Sequence, residues 1–104
     1  ELQAIVNVRC LRCHRTSTTY DFTNFRAATV NVFDHTEWCA ALEMPRVMPG
    51  NRNQSLAYLK VAAASHHEDA VCGAPMPYDR GNTPFSAEEL ERFGRWIDAM
   101  GPSP

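Results

Sequence analysis

The sequence predicts an all-α chain of about four to five short helices, because every regular element legible in its 104 residues reads as a helix. Two stretches carry that reading. Near the C-terminus, Ser86-Ala87-Glu88-Glu89 is a capping box, and Leu90, Phe93, Ile97 and Met100 follow at helical spacing before Gly101-Pro102. Near the N-terminus, Leu2, Ile5, Val6, Arg9 and Cys13 recur on one helical face. A third observation is negative: no alternating strand-helix pattern is visible in the sequence. The length fits a single domain over residues 1–104, small enough that its apolar core alone would be marginal.

The elements follow in order. The first helix is expected over Leu2 to His14, its apolar stripe made by Leu2, Ile5 and Val6. Residues Thr16 to Thr36 are rich in Thr, Asn and Asp and read as loop, with one short helix around Asn24 to Ala28. A further helix is expected over Thr36 to Leu42. Glu43 to Asn53 carries Pro45, Pro49 and Gly50 and must be irregular. Asn53 or Ser55 can then cap a helix over Leu56 to Ser65, with Leu56, Leu59 and Ala63 on one side. Val71 to Pro84, interrupted by Pro75 and Pro77, cannot be regular. Trp96 widens the apolar stripe of the last helix; helix packing explains it better than a cofactor contact.

Composition narrows the function classes. A net charge of −2 argues against nucleic acid as a partner. The basic residues are nine Arg and one Lys, Lys60. No apolar run is long enough to span a bilayer. The chain opens at Glu1 without an initiator Met or signal peptide, which reads as a mature chain or as a domain cut from a longer exported protein.

Cys10-Leu11-Arg12-Cys13-His14 is the segment richest in chemistry, a C-x-x-C-H attachment signature for c-type haem. Positions i, i+3 and i+4 share a helical face. The sulfurs of Cys10 and Cys13 can therefore form thioethers to the two vinyl groups, with His14 as proximal iron ligand. A zinc site would need a second close pair of ligands, whereas Cys39 and Cys72 stand alone and His66 and His67 are adjacent. A thioredoxin-like pair would follow a strand. The expectation is one haem c, attached through Cys10 and Cys13.

The chain resembles class I c-type cytochromes across its whole length. Beyond the C-x-x-C-H, it is similar to bacterial mono-haem cytochrome c domains in three segments. These are Arg46-Val47-Met48-Pro49-Gly50-Asn51 with Ser55-Leu56, then Cys72-Gly73-Ala74-Pro75-Met76-Pro77, and then Ser86 to Leu90 with Trp96-Ile97. The resemblance implies a small all-α cytochrome c fold packed around the haem and a role in single-electron transfer. It also implies a periplasmic or otherwise extracytoplasmic location, with redox partner proteins or a fused enzyme domain as partners.

Within that resemblance, Met44, Met48, Met76, Met100, His35, His66 and His67 are candidate sixth ligands. Met76 is preferred, since prolines on either side hold its segment extended and leave little entropy to lose. The competing reading is an apolar loop residue. Haem attachment by this motif takes place in an oxidising compartment in the family, so Cys39 and Cys72 are expected to pair, closing a loop of about 34 residues. Arg46, Arg52, Tyr58, Arg80 and Trp38 are candidates for bonding the propionates, and Arg46 is chosen because the family's loop carries Arg there. Electron transfer is the leading function, with no enzymatic activity of its own. A haem with an open sixth position, serving as sensor or peroxidase, is the alternative, and a zinc or thiol redox module is the third reading.

Overall fold

The computed structural model describes residues 2–9, 23–33, 39–66, 68–72, 76 and 84–100. Among them it is mostly helical: α1 spans Leu2–Arg9, α2 Phe25–Thr29, α3 Leu56–Ser65 and α4 Ala87–Asp98. Short 3-10 turns run over Ala40–Leu42 and Arg52–Gln54. Extended pairing among the described residues is limited to two isolated bridges, Val30 with Val47 and Phe33 with Pro45.

Helix α4 forms as the capping box dictates. The Ser86 hydroxyl accepts from the Glu89 N–H at 3.1 Å, and the Glu89 carboxylate accepts from the Ser86 N–H at 2.9 Å. Its buried face is Leu90, Phe93, Gly94 and Ile97, against which α1 and α3 both pack. Leu2 and Val6 of α1 join that core with Phe25, Val47, Val61 and Phe85. Phe93 sits among four rings, its centroid 5.7 Å from Phe25 and Tyr58, 6.0 Å from Phe85 and 6.3 Å from Trp96. Trp96 packs on Phe25 as well, at 5.9 Å, so its helix-packing role is what the described residues show.

Helix α3 has the expected span but a different start and a second apolar face. Ser55 occupies the N-cap, yet its hydroxyl makes no cap bond. Instead it accepts from the Met48 N–H at 2.8 Å and donates to the Asn51 carbonyl at 2.8 Å, tying the preceding loop into a ring. Two orphan donors of α3 go to the same loop: Leu56 N–H to the Pro45 carbonyl at 3.0 Å and Ala57 N–H to the Arg46 carbonyl at 2.8 Å. Leu56 faces a small cluster with Cys39 and Cys72, whereas Val61 faces the main core. Val61 is buried although it lay off the stripe read from Leu56, Leu59 and Ala63, because α3 is covered on more than one side.

Helix α2 lies one residue later than expected, with Asn24 as its cap and the Asn24 side chain accepting from the Ala27 N–H at 3.2 Å. The buried Thr29 hydroxyl donates to the Phe25 carbonyl at 2.7 Å. Of the helix expected over Thr36 to Leu42, the described part is the 3-10 turn Ala40–Leu42, followed by Glu43 at a φ of 51°. A left-handed residue there ends the turn and cannot continue a right-handed helix. The part of the first helix expected beyond Arg9, including the C-x-x-C-H, lies outside the described residues.

Candidate functional site

The residues read from the sequence as a redox site fall in three places. Cys10, Cys13 and His14 lie outside the described residues, as do His35, His67, Trp38 and Arg80. Met76 is half-buried and packs against the main core; its N–H donates to the Lys60 carbonyl of α3 at 3.1 Å. Met76 itself therefore leans on the middle of α3. Met44 packs against the Cys39, Leu56 and Cys72 cluster, and Met100 against the main core. His66 is the exposed C-cap of α3, its N–H donating to the Ala62 carbonyl at 3.0 Å.

Cys39 and Cys72 stand at disulfide distance, with sulfurs 2.10 Å and Cα atoms 5.4 Å apart, as the sequence led one to expect. Both are buried, and the bridge fastens the turn beginning at Cys39 to the segment four residues before Met76.

The haem c expectation is corrected here. Among the described residues, no three or more His, Cys, Asp or Glu side chains gather into a group able to hold a metal ion. Two of the four cysteines are joined to each other instead. The described residues thus do not make up a centre for one covalently attached haem.

Arg46 and Arg52 take up structural bonds that the sequence did not reveal. Arg46 Nη1 donates to the Ala28 carbonyl at 2.9 Å, joining the loop before α3 to helix α2. Arg52 reaches across to α4. Its Nε donates to Asp98 Oδ2 at 2.7 Å, Nη1 to Glu91 Oε1 at 3.1 Å and Nη2 to Glu91 Oε2 at 3.4 Å. Its own N–H donates to Asp98 Oδ1 at 3.0 Å, and its guanidinium carbon lies 5.5 Å from the centre of the Tyr58 ring. The guanidinium lies where a side chain at Gly94 would stand, so a Cβ there would collide with it. Hydrogen bonds from Glu91 first and Asp98 second raise the Arg52 pKa further, and the Arg52 bonds hold both carboxylates below their ordinary values. Arg52 is thereby engaged with α4 carboxylates. A glycine inside an otherwise strong helix was the sequence signal that something crosses α4 at that point.

Gly50 completes the same junction. At a φ of 83° it turns its N–H to the Ile97 carbonyl at 2.9 Å, satisfying one of the last carbonyls of α4.

Compared with protein-family profiles, curated proteins and solved structures, the chain matches none.

Proposed function

We propose that this chain transfers single electrons outside the cytoplasm, as a carrier or as the relay domain of a larger periplasmic oxidoreductase. The observation that carries the reading is the order of four segments along the chain. Cys10-Leu11-Arg12-Cys13-His14 is followed by Arg46 to Asn51 with Ser55-Leu56, then by Cys72 to Pro77, then by Ser86 to Leu90 with Trp96-Ile97. That order resembles class I c-type cytochromes. The mostly helical fold is compatible with it, and no helix among the described residues is long and apolar enough to cross a membrane. The Cys39–Cys72 pair supports an oxidising compartment, since such bridges persist where thiols are not kept reduced.

Anaerobic reductive titration tests the reading. The protein purified from an oxidising compartment, with any redox group it carries, should take up one electron equivalent per molecule and return it to a one-electron acceptor such as ferricyanide. Uptake of no electrons overturns electron transfer. Uptake of two, abolished by alkylating Cys10 and Cys13 after mild reduction, would instead assign a dithiol–disulfide couple.

A further inference from the structure

The large apolar side chains exposed among the described residues are Phe33, at 45%, Leu42, at 42%, and Val71, at 55%. All three adjoin one loop. Leu42 closes the 3-10 turn that starts after Cys39, and Val71 immediately precedes Cys72, whose sulfur is joined to that of Cys39. Phe33 pairs with Pro45, two residues beyond Glu43. Behind this surface Cys39, Cys72 and Leu56 are buried, so the two turns are held together by both a bridge and packing.

The charge of the two turns is one-sided. Residues 39–43 and 68–72 contain Glu43, Glu68 and Asp69, all exposed, and none of the chain's ten Lys and Arg. Turns that carry exposed apolar side chains beside carboxylates are suited to brief protein encounters: the charges steer the approach and the apolar contact fixes the pose.

We infer that the surface around the Cys39–Cys72 bridge docks a basic redox protein, one presenting Lys or Arg around an apolar patch of its own. The redox class of the partner rests on the electron-transfer reading above; its basic character rests on Glu43, Glu68 and Asp69. The ¹⁵N-labelled chain, titrated with a lysine-ringed mitochondrial cytochrome c as probe, should show amide shifts centred on Leu42, Glu43, Glu68 and Val71 that vanish at high salt. An acidic plant-type ferredoxin should produce none. Combining Glu43→Lys, Glu68→Lys and Asp69→Lys should slow association about tenfold. Leu42→Ser with Val71→Ser should speed dissociation while leaving the salt dependence of association intact.

Shifts that map elsewhere, or that the ferredoxin produces equally, would overturn the proposal. So would shifts that grow with the chain's own concentration without any probe, because the occupant would then be a second copy. The mapping reads binding and needs no electron to move. Loss of docking with one-electron uptake intact removes this surface alone, whereas absence of uptake removes the function reading whatever the shifts show.

Discussion

At the scale of single residues, two buried hydroxyls with equal burial differ in what they hold. Thr29 and Ser55 are both fully buried. The Thr29 hydroxyl donates to the Phe25 carbonyl one turn back inside α2, and Val fills nearly the same space. Ser55 alone satisfies the Met48 N–H and bonds the Asn51 carbonyl. Thr29→Val should therefore change stability by less than about 1 kcal/mol, while Ser55→Ala should cost about 2 kcal/mol by leaving a half-buried N–H unpaired. Urea denaturation of the two variants compares them directly, and equal losses would contradict the assignment. Gly94 makes a second case. In an open helix, Gly→Ala gains about 1 kcal/mol. Here the new methyl displaces the Arg52 guanidinium, so Gly94→Ala should stabilise the Arg52→Ala background more than the parent. A double-mutant cycle should return a coupling of about 1 kcal/mol, and additivity would refute the crossing.

At the scale of elements, the junction between the 50–54 loop and α4 is electrostatic at its rim. Glu91 and Asp98 have pKa values lowered by Arg52. A carboxylate whose folded pKa lies below its unfolded value contributes stability above the unfolded pKa and loses it as pH falls through the folded one. The junction should thus weaken in acid below the ordinary carboxylate range and be unaffected between neutral and mildly acidic pH. Glu91→Gln with Asp98→Asn should flatten the acid limb of a thermal-stability profile, and high salt should act in the same direction, since both groups are exposed. An acid limb of unchanged slope in that variant would place the titration elsewhere. Helix α4 was legible in the sequence because its cap and its apolar stripe are local features. The span of α3 was legible for the same reason, and Ser55, one of its two candidate caps, does occupy the N-cap, but its hydroxyl turns away and the carbonyls of Pro45 and Arg46 meet the helix instead. The role of Arg52 was hidden because its partners lie 39 and 46 residues away, a separation no local pattern records. Arg52 was a candidate for a propionate on charge alone, and charge alone does not choose between partners. The turn at Ala40–Leu42 was read as the end of a longer helix; the left-handed Glu43 that closes it leaves no spacing signal in the sequence.

At the scale of the whole molecule, the Cys39–Cys72 bridge and the shared core of α1, α3 and α4 hold distant stretches of the chain together. Replacing both cysteines by serine should cost about 4 kcal/mol if the bridge acts mainly on the unfolded chain. Calorimetry of that variant against the parent measures it, and a change within about 1 kcal/mol would show that the reduced chain is already constrained. The pairing was expected because the resemblance implied an oxidising compartment, where the two cysteines outside the C-x-x-C-H would pair. The expected haem c was a reading of that motif, and the described residues gather no metal-holding group to match it. Single-electron transfer is read without any partner protein by film voltammetry of the protein on an electrode. A reversible wave is expected in which the ratio of oxidised to reduced protein changes tenfold for about every 59 mV of applied potential, unchanged by thiol alkylation. A slope of about 30 mV that alkylation abolishes, or no wave at all, would contradict it.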